Sequence, residues 1–462
     1  MNYRETIEYL YNSRPPFHLI GAGAYKPGLE GTLRLMEHVG DPHTHLRAVH
    51  VAGTNGKGST CHLIAAALQA AGLRVGLYTS PHLIDLRERI RINGQPIPEE
   101  EVVRFVEDNR GFLDEAQPSF FETMTAMAFS WFVAQRVDVA VVEVGLGGRL
   151  DSTNVLTPVL SVITNIGMDH TEFLGNTLPQ IAREKAGIIK PGVPCVIGET
   201  HPQTMNVFLE RARECDILGE GPETTDCRIW FADQCGYLRS RRLREAPLCD
   251  LKGIYQDKNL QTAYVALQVL RNYALSDLLR TSYIRPSYIQ YGFSHVSALT
   301  GLRGRWETLS EKPLVICDTG HNSHGLQYVA KQLKELTNPH IWIIFGMVND
   351  KDTEIVMSLL PRGERYHYIF TTPNTQRART AEEMRDLFLN LSPSTSHLSP
   401  CNEESIAIPL PHDALEYARR HAAAEDAIFI GGSNYLVGEI LSELESRIKS
   451  QESGQVTIDD AF

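Results

Sequence analysis

Apolar positions along the chain fall into short runs separated by longer amphipathic stretches. Leu46 to Val51 is the first run, followed by a glycine-rich turn and an alanine-rich segment from Ser59 to Ala71 that stops at Gly72. Short apolar runs bounded by turn residues suit strands buried on both faces, and longer periodic segments suit helices packed over them. Further runs at Arg74 to Thr79, Val137 to Val144, Val159 to Thr164 and Val193 to Ile197 predict a parallel sheet covered by helices. A second series, Leu314 to Cys317, Ile341 to Phe345, Tyr366 to Thr371 and Ala427 to Ile430, predicts a second α/β domain.

Between the two series the pattern loosens. Thr200 to Cys249 mixes charge, cysteine and short apolar fragments and reads as a small antiparallel excursion, Asn259 to Tyr273 as a helix, and Ser294 to Gly304 as a linker. Leu391 to Pro411, rich in Ser and Pro, reads as a surface loop, and the polar tail from Gln451 as a mobile end. At 462 residues the chain exceeds the usual size of one domain. The expected division is a parallel-sheet domain that carries the glycine-rich turn, over 1–298, a smaller Rossmann-like α/β domain over 299–450, and a tail over 451–462.

Composition narrows the function by exclusion. A net charge of -12 argues against a general binder of phosphate backbones, so nucleic acid is not an expected partner. The start, Met1 to Thr6, has no apolar signal core, and no later run reaches the length of a membrane helix, so a cytoplasmic location without a membrane partner is expected; a monomer is expected as well, though nothing in the sequence fixes the oligomeric state. Cys61, Cys195, Cys215, Cys227, Cys235, Cys249, Cys317 and Cys401 lack the close pairing of zinc sites and read as free thiols.

Candidate chemistry is densest in Val51-Ala52-Gly53-Thr54-Asn55-Gly56-Lys57-Gly58-Ser59-Thr60, set between a predicted strand and a predicted helix. Gly53, Gly56 and Gly58 allow the backbone close to phosphate oxygens, Lys57 adds a charge, and Ser59 or Thr60 offers a hydroxyl to Mg²⁺. Only Thr54 and Asn55 separate Gly53 from Gly56-Lys57, and Gly58 precedes the hydroxyl residue, which departs from the common P-loop spacing. Glu143 ends the run Val139 to Val142 and precedes Gly145-Leu146-Gly147-Gly148-Arg149. A carboxylate beyond a strand end suits Mg²⁺, and pairing with Arg149 is the alternative. His170 closes the parallel stretch Val162 to Asp169, where it would ligate or cap the next segment. Lys185, within Ile181 to Ile188, reads on its own as a solvent-facing helix lysine.

These blocks resemble those of folylpolyglutamate synthase/dihydrofolate synthase, amide-forming ATP-dependent ligases of the Mur-ligase superfamily, over nearly the whole chain. The resemblance rests on Gly53 to Ser59, Leu77-Tyr78-Thr79-Ser80-Pro81-His82, Glu143 to Asp151, Asp169-His170 and Arg183 to Ile188. In the second domain it rests on Gly304-Arg305, Asp318-Thr319-Gly320-His321-Asn322, Phe345-Gly346 and Gly432-Ser433. It implies ATP and two Mg²⁺ ions, with Ser80, Glu143, His170, a carbamate on Lys185, and Ser59 as ligands around the terminal phosphates. It also implies nucleotide contacts from Asn259, Arg305, Asp318 and His321, although Tyr255 replaces the family's usual His and Thr319-Gly320 its usual Gly-Ala. The pterin-bearing substrate would meet Ala22 to Leu29, with Tyr25, Lys26 and Leu29 singled out, and Asp151.

The implied reaction activates a carboxylate as an acyl phosphate, which the amine of L-glutamate converts to an amide. The carboxylate would belong to dihydropteroate, a folate, or both, and closure of the second domain would shield the intermediate from water. A peptidoglycan-precursor ligase of the same superfamily is the alternative among enzymes; the Glu143 block and Thr79 to His82 weigh against it. A P-loop nucleotide switch is the alternative from another class, and it has no use for Arg305 and Asp318.

Overall fold

The computed structural model describes residues 1–15, 28–217, 228–235, 249–274, 284–349, 353–391 and 405–452. The chain divides into two compact units, the first made of Met1–His82, Arg87–Asp250 and Tyr255–Leu302. The second holds Leu83–Leu86, Leu251–Ile254 and the chain from Arg303 onward.

The first unit is built on β1 (Ala48–Ala52), β2 (Val75–Tyr78), β3 (Ile90–Ile92), β4 (Gln95–Pro96), β5 (Val139–Glu143), β6 (Leu160–Ile163), β7 (Cys195–Ile197) and β8 (Ile229–Phe231), in the order β4-β3-β2-β5-β1-β6-β7-β8. From β2 to β8 the pairing is parallel, and the central strands β1, β2, β5 and β6 are buried along their whole length. Helices on both faces are what such strands require. β3 and β4 form an antiparallel edge hairpin absent from the sequence reading. Its turn is Asn93-Gly94, both at positive φ, a pairing that favours tight hairpins.

The predicted antiparallel excursion after Thr200 is not what the described residues form. They give a helix, Met205–Glu214, and then β8, which extends the sheet in parallel. Four of the charges that broke the pattern, Glu210, Arg211, Arg213 and Glu214, sit on this helix, whose Val207, Phe208 and Ala212 are buried while Glu210 and Arg213 face outward. Residues 218–227 and 236–248 of that stretch lie outside the described residues. Ser294 to Gly304 is likewise no plain linker, for Val296–Thr300 is helical and its first turn is fastened by a distant side chain. The Asp250 carboxylate accepts from Val296 N at 3.1 Å and Ser297 N at 2.8 Å, a partnership invisible to local reading.

The second unit carries β9 (Glu307–Glu311), β10 (Leu314–Asp318), β11 (Ile341–Phe345), β12 (Tyr366–Phe370), β13 (Ser405–Ala407) and β14 (Ala427–Gly431), ordered β13-β12-β11-β14-β10-β9. All pairings are parallel except that of the edge strand β9 with β10. The predicted loop from Leu391 to Pro411 therefore contains a strand, β13, and only its 392–404 portion lies outside the described residues. Apolar layers cover both faces of this sheet, one around Phe345, Phe370 and Phe388, the other around Ile344, Ile430 and Leu441. Leu83 and Ile84 pack against the latter layer. The expected mobile tail begins inside the terminal helix Asn434–Glu452 and continues outside the described residues. Among the described residues no helix is long and apolar enough to cross a membrane, and the described cysteines are free.

Candidate active site

β2 and β5 lie on one side of β1 and β6 on the other, so the strand order reverses around β1. Ligands of open α/β sheets bind beyond the carboxyl ends of strands at such a point. There β1 runs into Gly53, β5 ends in Glu143, and β6 runs into Thr164 and Asn165.

Neighbouring segments hold the glycine-rich loop. Thr54 N donates to Asn165 O at 3.0 Å, Asn55 N to Asn165 Oδ1 at 2.9 Å, and Thr164 Oγ1 to Asn55 O at 2.6 Å. Gly56 caps the Lys57–Ala70 helix at φ +79, and an added Cβ would stand 2.1 Å from Asn259 Oδ1. Asn259 Nδ2 donates to Gln256 Oε1 at 2.8 Å, and Gln256 Nε2 to Ser59 Oγ at 3.2 Å, so the Gln256–Val269 helix braces the first turn of the loop's helix. Amides of that turn, with the positive end of the helix dipole, suit phosphate oxygens.

Two lysines converge on one carbonyl. Lys57 Nζ donates to Gly53 O at 3.0 Å and Thr54 O at 3.1 Å, while Lys185 Nζ donates to the same Gly53 O at 2.8 Å. Lys185 is buried, so its solvent-facing reading is corrected. The cause is the turn after β5: a Cβ on Gly148 would lie 2.8 Å from Glu184 O and 3.1 Å from Lys185 Cα, and only glycine lets the Leu178–Ala186 helix lie that close. Burial, and then the nearby Lys57 charge, push Lys185 down to about 7, which makes a neutral amine accessible.

Glu143 is buried, and its Oε2 accepts from Ser80 N at 2.9 Å. Its alternative partner Arg149 instead pairs with Glu184 at 2.9 Å. His170 stands at φ +47 before the short Thr171–Leu174 helix, without a side-chain capping bond, its Nε2 3.8 Å from Asp169 Oδ1. Asp151 is buried with its carboxylate bonded inside its own loop. Leu29 is partly buried ahead of the Glu30–His38 helix, whereas Tyr25 and Lys26 lie outside the described residues. Ser59 and Ser80 hydroxyls with the Glu143 carboxylate are the hard oxygen donors that suit Mg²⁺, an ion that completes its shell with phosphate oxygens and water. Among the described residues no three His, Cys, Asp or Glu side chains converge to hold a metal by themselves.

In the second unit the turn Gly304-Arg305-Trp306 is tied to the end of β10. Asp318 Oδ2 accepts from Trp306 N at 2.8 Å and Oδ1 from Gly320 N at 2.7 Å, while the Arg305 guanidinium donates to Gly304 O at 3.1 Å and to the Thr319 hydroxyl. His321 Nδ1 lies 3.0 Å from Thr319 O; a carbonyl only accepts, so this nitrogen carries the proton. Asn322 Oδ1 caps the Ser323–Glu335 helix. Sequence reading missed Thr164, Asn165 and Gln256 as supports of the loop. The strand-end rule pointed to the first two, but Asp169-His170 in the same stretch drew the chemical attention.

The chain is similar to known proteins over most of its length. Residues 51–197 match the Mur ligase middle domain and residues 304–434 the Mur ligase glutamate ligase domain. A Bacillus subtilis protein named dihydrofolate synthase/folylpolyglutamate synthase is 32% identical over 91% of this chain and 95% of its own length. A Haloferax volcanii protein named as a probable bifunctional folylpolyglutamate synthase/dihydropteroate synthase is also 32% identical, but this chain spans only 50% of it. The solved structure of the Yersinia pestis bifunctional folylpolyglutamate synthase/dihydrofolate synthase, complexed with AMPPNP and Mn ion, is 28% identical with a TM-score of 0.76, covering 96% of this chain and 98% of that one. The chain belongs to the folylpolyglutamate synthase/dihydrofolate synthase family of the Mur ligases.

Proposed function

We propose that the chain ligates L-glutamate to the free carboxylate of dihydropteroate, of folates, or of both, with ATP as the energy source. The observation that carries the reading is the convergence of Lys57 and Lys185 on the Gly53 carbonyl, at the strand end where Glu143 also emerges. Lys57 and the amides of the Lys57–Ala70 helix bind the terminal phosphates. Ser80, Glu143 and His170 are proposed to hold Mg²⁺, with Ser59 as a further ligand; the ion, when bound, offsets negative charge on the phosphate oxygens. Arg305, Asp318 and His321 are proposed nucleotide contacts, Arg305 through its guanidinium and Asp318 by fixing the turn that carries it.

The chemistry runs in two displacements. A carboxylate oxygen of the pterin-bearing substrate attacks the γ-phosphorus, the bond to ADP breaks, and an acyl phosphate forms. The glutamate amine then attacks the acyl carbon, phosphate leaves, and the amine gives up a proton as the amide forms. Lys57 stabilises the charge spread over the equatorial phosphate oxygens. The Lys185 amine, in its neutral form, is proposed to add to CO₂, forming a C–N bond and releasing a proton, which leaves an oxygen-bearing anion at this buried position.

The test is phosphate release from Mg-ATP with L-glutamate plus either dihydropteroate or tetrahydrofolate, with products identified by mass. Phosphate release requiring both glutamate and a pterin substrate is expected. ATP consumption indifferent to the pterin compounds, or satisfied by a muramyl-type precursor, overturns the reading.

A further inference from the structure

A polar chain that the reaction above does not use runs beneath the turn after β5. It starts at His50, fully buried in the middle of β1 between Val142 on β5 and Ser161 on β6. His50 Nε2 lies 2.8 Å from Thr153 Oγ1, and Thr153 Oγ1 donates to Asp151 Oδ1 at 2.5 Å. Thr153 N donates to the same oxygen at 3.0 Å, and Leu146 N donates to Asp151 Oδ2 at 2.8 Å.

The direction of the chain follows from proton counting. A hydroxyl has one hydrogen, and Thr153 gives it to Asp151, so Thr153 Oγ1 must accept from His50 and the imidazole is the Nε2–H tautomer. His50 Nδ1 has no partner among the described residues, and the Nε2–H tautomer leaves there only an unfilled lone pair instead of an orphaned N–H. Burial, with Lys190 as a lesser cause, holds the ring neutral. At the other end Asp151 clamps Leu146 in the turn that follows Glu143. That same turn seats the Lys185 helix, through Gly148 and through Arg149 N donating to Glu184 O at 2.8 Å.

We propose that His50 and Thr153 are positioning residues: a one-way hydrogen-bond chain from His50 Nε2–H through the Thr153 hydroxyl to Asp151 sets the Gly145–Arg149 turn. Through it the chain fixes both Glu143 and Lys185 at the reaction centre. The inference rests on the reading of Glu143 and Lys185 as that centre. It predicts that a residue in the middle of a buried strand, far in sequence from Glu143 and Lys185, controls metal binding.

The test compares Thr153→Val with Thr153→Ser and His50→Leu with His50→Gln in the full chain. Nucleotide-dependent Mn²⁺ binding is followed by electron paramagnetic resonance, and ligation is measured against Mg²⁺ concentration. The Val and Leu variants are expected to weaken Mn²⁺ binding and raise the Mg²⁺ requirement at least about tenfold, the scale of a lost hydrogen bond to a charged group. The Ser and Gln variants, which keep the hydroxyl and a donor at the Nε2 position, are expected to recover it. Equal behaviour of Val and Ser, whether both intact or both impaired, overturns the proposal. Nitrogen-15 spectra of wild-type His50 give an arm independent of turnover: the Nε2–H tautomer is expected, and an Nδ1–H tautomer overturns the chain. A wild-type protein that consumes no ATP with either pterin substrate sinks the functional reading, while the tautomer and Mn²⁺ comparisons still decide this one.

Discussion

A methyl group at residue 56 would have to share space with Asn259 Oδ1 on a backbone already at φ +79. Gly56→Ala should therefore lose about 1 kcal/mol or more of stability from the backbone alone. It should also weaken ATP binding, as measured by calorimetry, at least about tenfold, since the loop amides that meet phosphate turn with it; unchanged affinity would remove the loop from the site. Lys57→Met should lower kcat by about two orders of magnitude or more, the scale of losing a preorganised charge at a transition state. His50 supplies a pH dependence. Burial holds it at about 3, so between there and its ordinary 6.5 the unfolded chain binds a proton that the folded chain refuses. Stability present above about pH 6.5 is lost progressively as pH falls toward 3, and His50→Gln should flatten that acid limb in urea titrations. At this scale the cradle residues were legible because glycine, lysine and hydroxyl side chains announce phosphate chemistry locally. The burial of Lys185 was not, because it depends on Gly148, which is distant in sequence and close only after folding.

At the scale of elements, the buried strands were legible and the edges were not. Ile341 to Phe345 was read with the bounds the fold shows, since five consecutive apolar residues admit little else. β3 and β4 were missed although Asn93-Gly94 marks their turn, because an edge hairpin only a few residues long leaves a weak alternation. The Val296–Thr300 helix was missed for a different reason: its cap, Asp250, comes from another part of the chain. Asp250→Ala should cost about 1 kcal/mol, the usual price of a lost cap, read as a shift of the urea midpoint with unchanged slope. A shift indistinguishable from zero would mean that the Asp250 bonds contribute nothing net.

At the scale of the whole molecule, an alternating pattern gave two α/β units because each series of strands needs its own helical cover. It could not show that Leu83–Leu86 and Leu251–Ile254 belong with the second unit, since membership there is decided by packing and not by position. Within that unit, Gln332 holds the second of these segments, its Oε1 accepting from Ile254 N at 2.9 Å and its Nε2 donating to Lys252 O at 3.0 Å. A fragment beginning at Arg303 should thus unfold at lower urea concentration than the same unit in the full chain, and equal midpoints would show that the two segments are passengers. The arrangement also bears on synthesis. Leu83 and Ile84 leave the ribosome long before the strands they pack against exist, and chains grow at roughly 5–20 residues per second. For many seconds the nascent protein carries two apolar side chains whose cover has yet to be translated.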